Sequence, residues 1–249
     1  MRAGSIGFCS GYAMKKQYAA RVTGFLLAFA ICAWSLASIL EGLGTGGDLM
    51  LSLMKRYAPS QRTGLPEEEY AGMCGMITDY LAGAREDFQY QWTGRDSIRY
   101  VGFHDYEQQH MVDVRSLFVL VRKVLMISTA AGAACVGLLF WFRRRTATLR
   151  GLRDGAIAVM VLLGSMLVWG LLDFGSFFTA FHQVFFTNSL WLLNPSTDLL
   201  IRLMPTEFFM AYARIAVISY LPFPLLLLVV PQCMIRKERK QYAKQSAGL

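Results

Sequence analysis

The sequence predicts a membrane protein that is mainly α-helical, with four transmembrane helices, a small extracytoplasmic cap and a half-buried hairpin in the outer leaflet. Three observations predict this fold class. Hydrophobic residues make up 55% of the 249-residue chain and charged residues only 17%, so the chain is more apolar and less charged than soluble domains. Four runs are long and apolar enough to cross a bilayer. Basic residues are concentrated at the two ends and in one central loop.

The four apolar runs lie at residues 20–40, 124–142, 155–172 and 213–234, and each is predicted to form a transmembrane helix. The first run also resembles the apolar part of a cleaved signal peptide. It is long for that role, and no clear small-residue cleavage site follows it. We therefore expect a retained helix. Prolines in the last run predict a kink in the fourth helix.

The distribution of charge predicts the orientation of the chain in the membrane. The net charge is +8, and 14 of the 25 basic residues lie at the ends and in the middle loop. These are Arg2, Lys15, Lys16, Arg21, Arg143, Arg144, Arg145, Arg150, Arg153, Arg236, Lys237, Arg239, Lys240 and Lys244. The positive-inside rule places residues 1–19, 143–154 and 235–249 in the cytoplasm. Residues 41–109 and 173–212 then face outward. The charge therefore does not indicate nucleic-acid binding.

The five cysteines predict no disulfide framework. Three of them lie inside apolar runs, one precedes the first run, and Cys74 is the only one in an outward segment. None has metal-ligand spacing.

The outward segment 41–109 is predicted to form a small cap. Its glycine-rich beginning, at Gly42 to Gly47, indicates a flexible exit from the membrane. Pro66 and the three glutamates that follow it favour a helix start, and Gly83 is expected to end that helix. The alternation of residues 88–103 predicts strands or extended chain, with Gly94 at a turn. Nothing in this cap indicates catalysis.

His110 lies just before the second apolar run, in the predicted outer extension 110–142. If residues 108–142 form one helix, its length is about 52 Å, so His110 stands at or above the outer headgroups. Asp113 follows three residues later, on the same helix face. Arg122 and Lys123 are expected to snorkel to the outer interface or to bind an anionic lipid headgroup.

The segment 173–212 contains the second candidate histidine, His182, flanked by Phe181 and Phe185. It has too many polar breaks to span a membrane and is too apolar for a soluble loop. Asn194 and the proline after it break the segment. Backbone that is not helical at membrane depth must be covered by protein or line a cavity. We therefore expect a pocket between this segment, the cap and the second helix.

Two histidines and a carboxylate allow several kinds of chemistry. His110, Asp113 and His182 would make a facial metal set, although the spacing is a weak signal. The serines lack a nucleophile-elbow motif. General acid–base catalysis needs only a histidine with a pKa near neutrality. The alternative is that both imidazoles are satisfied interfacial side chains.

Four short motifs carry a resemblance to a known family. The segment 110–114 reads HMVDV, 181–186 reads FHQVFF, 191–201 reads WLLNPSTDLLI and 205–209 reads PTEFF. Together with the order of the spans, these motifs resemble the bacterial lipoprotein intramolecular transacylase family. The resemblance covers residues 20–233, and its specific part is the motif blocks.

The resemblance implies an acyltransferase that acts on diacylated lipoproteins in the bacterial cytoplasmic membrane. The sn-2 acyl chain would move from the glycerol to the α-amino group of the N-terminal cysteine, which gives a lyso-form lipoprotein. The family's two motif histidines fall on His110 and His182. Supporting or substrate-binding roles are expected for Asp113, Arg115, Phe181, Phe185, Trp191, Asn194 and Asp198. The resemblance implies no cofactor, no metal and no nucleic-acid partner, and the active site would face outward.

Two other classes of function remain open from the sequence. An N-acyltransferase that takes its chain from a phospholipid would need a dedicated nucleophile, and no cysteine or serine is placed for that role. A non-enzymatic membrane chaperone, transport component or lipid-binding protein is the second alternative. Transporters usually carry charges at the middle of their spans or internal repeats, and this sequence shows neither.

Overall fold

The computed structural model describes residues 4–94 and 96–246. Residues 1–3 and 247–249, which belong to the predicted cytoplasmic ends, lie outside the described residues. The chain divides into two compact units. One comprises residues 1–36, 124–168 and 220–249, and the other comprises residues 37–123 and 169–219.

Helices dominate the described chain, in the order α1 (Gly4–Thr45), α2 (Gly47–Tyr57), α3 (Ser60–Thr63), a 3-10 turn (Glu67–Glu69) and α4 (Tyr70–Ala82). Two strands follow, β1 (Gln91–Thr93) and β2 (Arg99–Val101), before α5 (Asp105–Phe142) and α6 (Arg145–Leu172). The chain ends with α7 (Phe174–Phe185), α8 (Leu199–Leu203), α9 (Thr206–Tyr220) and α10 (Pro222–Ser246).

The described residues contain four helical segments long and apolar enough to cross a membrane. These are Ala13–Thr45, Asp105–Phe142, Arg145–Leu172 and Thr206–Ser246, and each contains one of the four predicted apolar runs. The predicted kink in the fourth helix is confirmed, because the helix is interrupted at Leu221, between α9 and α10. The predicted long second helix is confirmed as well, since α5 is continuous over 38 residues.

The glycine-rich start of the cap differs from its prediction. Helix α1 continues through Gly42 and Gly44 and ends at Thr45, where a flexible exit was expected. A Cβ at Gly44 would lie 2.0 Å from the Phe118 ring. The glycine therefore permits close packing of α1 on α5 in the unit that holds residues 37–123, and flexibility is not its role there.

The cap predictions at Gly83 and Gly94 are confirmed. Gly83 follows α4 with a φ of 84°, in the left-handed region that ends helices. Strands β1 and β2 pair antiparallel, and the backbone N–H of Gly94 donates to the Ile98 carbonyl in the turn between them.

The core of this second unit is shared between the cap and the segment 173–212. Tyr70, Met73 and Ile77 of α4 are fully buried in one cluster with Leu203 of α8 and Phe208 of α9. The cap is therefore not an independent layer, because its apolar face packs on residues that follow α7. This shared core holds the beginning of α5 and the segment after α7 in one compact unit.

Small residues bring α1 and α6 together in the first unit. A Cβ at Gly151 would lie 2.0 Å from the Arg21 carbonyl oxygen, and one at Gly155 would lie 2.7 Å from the Ala28 Cβ. The two glycines are four residues apart and thus lie on one face of α6. Close backbone approach through small residues is a common way of joining helices within a membrane.

Candidate functional site

His110 lies in the second turn of α5 and is buried, with 7% of its surface exposed. Its Nδ1 is out of reach of solvent and has no hydrogen-bond partner among the described residues. The imidazole meets the Phe186 ring edge-on, with 5.2 Å between ring centroids. A buried polar nitrogen without a partner costs free energy, so this atom is available to a group that enters the site.

His182 lies near the end of α7, and its imidazole is also buried. The Nδ1 atom is 2.7 Å from the backbone carbonyl oxygen of Phe178, one turn earlier. A carbonyl can only accept, so Nδ1 carries the hydrogen and donates it. In the neutral ring Nε2 then holds the free lone pair. The local helix geometry thus selects the tautomer in which Nε2 can take up a proton.

Aromatic rings surround His182. The Phe178 ring lies 4.1 Å away, Trp191 4.8 Å and Phe186 5.4 Å, measured between centroids. Burial in this apolar surrounding lowers the pKa of His182 below its usual value, and the Phe178 carbonyl, which favours the charged form, offsets part of that effect. The imidazole is therefore kept neutral near physiological pH.

The structure brings the two histidines together. Their ring centroids are 6.2 Å apart, and the rings are inclined by 30°. Phe186 contacts both imidazoles, so one side chain fixes the spacing of the pair. The sequence predicted both histidines in one pocket and an aromatic helix face that includes Phe178 and Phe186, but it assigned no role at the site to these two phenylalanines.

Asp113 does not contact His110 through a hydrogen bond. Its carboxylate accepts from the Asn188 side chain at 2.8 Å. The carbonyl of Asn188 in turn accepts from the Trp191 indole N–H at 3.0 Å. Asp113 thus ties α5 to the loop 186–198, which carries the tryptophan that packs on His182.

Glu107 makes a second connection between α5 and the segment after α7. Its buried carboxylate accepts from the backbone N–H of His104 at 2.8 Å and from that of Leu200 at 2.8 Å. The first bond is half of a capping box at the start of α5, and the second satisfies an N–H in the first turn of α8. Sequence reasoning missed Glu107, although a glutamate at the third helical position is a signal for such a cap.

Asp198 occupies the start of α8 and is buried. Its side chain accepts from Tyr106 at 2.5 Å, from Thr197 at 2.6 Å and from the backbone N–H of Asn194 at 2.7 Å. These bonds, against the opposing effect of burial, lower the pKa of the Asp198 carboxyl. Asp198 therefore holds the loop and does not reach the histidine pair by any hydrogen bond among the described residues.

One group of side chains has a composition that metals accept: His104, Glu107 and Asp198 offer ligand atoms within 4.8 Å of one another. All four carboxylate oxygens of this group already accept hydrogen bonds from the protein. Such saturation fits a role in fastening the loop better than a role in metal binding.

The remaining predicted site residues lie at different distances from the pair. The Phe181 ring contacts His182 and Phe185, with 5.5 Å and 4.8 Å between ring centroids. Asn194 uses its side-chain oxygen to accept from the Ser196 N–H within a turn. Arg115 lies over the Tyr80 ring at 4.9 Å and near Glu86, so the structure does not bring it to the histidines.

Comparison with known proteins gives matches of two kinds, to a family model and to solved structures. The family model described as lipoprotein intramolecular transacylase Lit matches residues 25–209. A solved structure of the membrane-integral lipoprotein intramolecular transacylase Lit from Bacillus cereus is 17% identical, with a TM-score of 0.72, and covers 89% of this chain and 98% of that one. A variant of the same protein with a histidine-to-arginine substitution is 16% identical, with a TM-score of 0.69, and covers 94% of this chain and 99% of that one. No curated protein matches the chain.

Proposed function

The chain belongs to the lipoprotein intramolecular transacylase family of membrane acyltransferases, and from that premise we propose which acyl group it moves and how. The substrate is a lipoprotein whose N-terminal cysteine carries a diacylglyceryl group on sulfur. The sn-2 acyl chain moves to the α-amino group of the same cysteine. The observation that supports this proposal is the pair of buried imidazoles 6.2 Å apart.

The proposed reaction exchanges an ester for an amide within one molecule. The amine nitrogen, in its neutral form, attacks the sn-2 ester carbonyl, and a tetrahedral intermediate forms. The bond from that carbon to the glycerol oxygen then breaks. The nitrogen loses one proton and the glycerol oxygen gains one, so the reaction needs a proton carrier but no net proton and no second lipid.

His182 is proposed as the proton carrier. Its Nδ1–H is donated to Phe178, so Nε2 can accept the amine proton and pass it to the glycerol oxygen. The lowered pKa of His182, caused mainly by burial, keeps this base unprotonated before the reaction. It also makes the imidazolium a better acid once it has formed, which favours delivery of the proton.

His110 is proposed to polarise the ester carbonyl. A neutral imidazole has one N–H, and the buried Nδ1 of this ring has no hydrogen-bond partner among the described residues. An N–H directed at the carbonyl oxygen would stabilise the negative charge that develops in the intermediate. Both imidazoles are buried and both contact Phe186, but the N–H of His182 is already donated to Phe178, which favours His182 as the base and His110 as the donor to the carbonyl.

Intramolecularity removes the need for a nucleophile on the enzyme. The amine and the ester are tethered through one cysteine, so the protein has only to hold them in a reactive conformation. The aromatic side chains around the pair exclude water, which would otherwise hydrolyse the ester. No hydrogen bond joins a described serine or cysteine to either histidine.

The proposed orientation places the site at the extracytoplasmic face. Residues 1–19, 143–154 and 235–249 would lie in the cytoplasm, and residues 41–109 and 173–212 outside, as the distribution of basic residues predicts. A two-chain lipid substrate would then reach the histidine pair laterally from the outer leaflet.

Expression in a bacterium that lacks lipoprotein N-acylation tests the proposal. We expect the N-terminal peptide of an abundant lipoprotein to carry one acyl chain on nitrogen and one on glycerol. Because the transfer leaves the mass unchanged, tandem mass spectrometry must locate the chains. His182→Ala and His110→Ala should each reduce the product by a factor of about 100 or more.

His104→Ala is the matched control, since the chain has three histidines and the His104 side chain is exposed. It should leave the product unchanged. Full product formation by His182→Ala, in protein shown to be folded in the membrane, would exclude the proposed base.

A further inference from the structure

A basic groove lies in the first unit, at the junction of α5 and α6. Three parts of the chain line it: Gln17 of α1, residues 143–147, and five residues of α10, namely Glu238, Gln241, Tyr242, Lys244 and Gln245. Its volume is about 850 Å³. The groove contains no part of the histidine site, because all its lining residues belong to the other compact unit.

Most of the positive charges in this groove form no ion pair with the described residues. Arg143, Arg144, Arg145 and Lys244 line it, together with one carboxylate, that of Glu238. Glu238 is already engaged, because it lies 3.4 Å from Arg145 and accepts from the Thr146 hydroxyl at 2.8 Å. The side chains of Arg143, Arg144 and Lys244 make no ion pair with any other described residue, so three positive charges are available to an anion.

The backbone at Arg143 indicates that the arginine has a role of its own. Only two residues separate α5 from α6, and Arg143 adopts a φ of 50°. This left-handed conformation is easy for glycine and costs about 1 kcal/mol or more in other residues. An arginine thus occupies a turn position whose backbone conformation favours glycine.

The neighbouring side chains place the groove at the level of lipid headgroups. Phe140 and Trp141, at the end of α5, are 77% and 76% exposed. Aromatic residues at the end of an apolar helix are typical of the membrane interface. Basic pockets at this depth favour anionic lipid headgroups, and guanidinium groups match the geometry of phosphate oxygens.

We propose that this groove binds the phosphate headgroup of an anionic phospholipid. The occupant is a lipid and not a soluble anion, because the cations adjoin exposed aromatic side chains that its acyl chains would cover. The site is separate from the acyl-transfer site, so the proposal does not depend on the proposed reaction.

The test measures lipid retention by the purified full chain. Native mass spectrometry in mild detergent would compare dioleoyl phosphatidylglycerol with dioleoyl phosphatidylcholine. We expect the phosphatidylglycerol adduct to predominate in the wild type. The triple variant Arg143→Gln, Arg144→Gln and Lys244→Gln should lose this adduct by about tenfold or more.

The matched control is Lys237→Gln, Arg239→Gln and Lys240→Gln, which removes the same charge from α10 outside the groove lining. This variant should retain the adduct within about twofold. Equal losses in both triple variants, or equal retention of the two lipids, would overturn the proposal. Displacement of the adduct by millimolar inorganic phosphate would identify a soluble anion as the occupant and would also contradict it.

Discussion

The tautomer of His182 is the residue-scale feature on which the proposed chemistry depends. A side-chain nitrogen bonded to a carbonyl one turn earlier in the same helix is a local arrangement, which needs only helical geometry. The aromatic neighbours add burial, which opposes protonation. The hydrogen bond to Phe178 and the aromatic packing thus both favour Nε2 of His182 as the base. No carboxylate is needed to orient the ring.

This feature predicts the titration of His182. Selective ¹⁵N-histidine labelling gives three imidazoles, since the chain has three histidines, and His110→Gln and His104→Gln variants assign them. We expect the His182 spectrum to show a protonated Nδ1 and a bare Nε2, with a midpoint below the usual value of about 6.5. A midpoint above that value, or the opposite tautomer, would contradict the proposed role.

The lowered pKa of His182 also makes the unfolding free energy of the protein depend on pH. The pKa of His182 is lowered in the folded chain, so below about pH 6.5 the unfolded chain binds more protons than the folded one. The His182 contribution to the unfolding free energy is therefore complete above that pH. It is lost as the pH falls through the folded pKa. A His182→Phe variant should show a weaker loss of thermal stability between pH 7 and pH 5 than the wild type.

At the residue scale, the sequence predicted the histidine pair but not its supports. A histidine among aromatic residues can be recognised in a sequence, because burying its imidazole costs free energy. Phe186 and Glu107 act through contacts with residues more than 70 positions away, and no local pattern contains that information. Asp113 was placed on the same helix face as His110, but its carboxylate bonds to Asn188, because a shared helix face does not guarantee contact.

At the scale of the secondary-structure elements, the buried carboxylate of Glu107 joins α5 to α8. Glu107→Gln keeps one acceptor oxygen and places an NH₂ group against the other backbone N–H. We expect the unfolding free energy to fall by about 1–3 kcal/mol. Asp105→Asn, in the same helical turn but exposed, should change it by less than about 1 kcal/mol. Thermal unfolding of the purified variants in detergent measures both changes. Equal losses in the two variants would show that the hydrogen bonds from the His104 and Leu200 N–H groups to Glu107 do not stabilise the protein specifically.

The close contact of α1 with α6 depends on glycine. At Gly151 a Cβ would meet the Arg21 carbonyl oxygen at 2.0 Å, and the backbone of α1 cannot move aside as a side chain can. Gly151→Ala should therefore destabilise the protein by about 1–3 kcal/mol. Gly164→Ala lies in the same helix, where nothing is within 4 Å of the new Cβ, and should be neutral or stabilising. A neutral result at Gly151 would mean that the two helices are not packed through this face.

At the scale of the whole molecule, the sequence predicted the helical membrane architecture well. Long apolar runs, a glycine in the left-handed conformation and a proline at a helix break are all local signals. The shared core of the cap and the segment 173–212 was not predicted, because it joins residues distant in the chain through irregular amphipathic packing. The extension of α5 beyond its apolar run was predicted, but that of α1, α6 and α10 was missed for a related reason. Their polar ends carry no hydropathy signal.

The predicted topology is tested by fusions at the C-terminus and in the outward segment 41–109. A C-terminal fusion to green fluorescent protein should fluoresce and one to alkaline phosphatase should be inactive, because residues 235–249 are expected in the cytoplasm. Alkaline phosphatase inserted in the exposed turn at Asp96 should be active. An active phosphatase at the C-terminus would reverse the orientation and would place the histidine pair on the cytoplasmic side.

The central claim is that a histidine-dependent transfer occurs within one substrate molecule. The most direct measurement uses the purified protein and two synthetic diacylglyceryl lipopeptides that differ in the peptide, one of which also carries a deuterated sn-2 chain. We predict that, after reaction of the mixture, tandem mass spectrometry will find the deuterated chain only on the nitrogen of the peptide that brought it, with no product from His182→Ala. Deuterated chains on the nitrogen of the other peptide, or full activity without His182, would contradict the account.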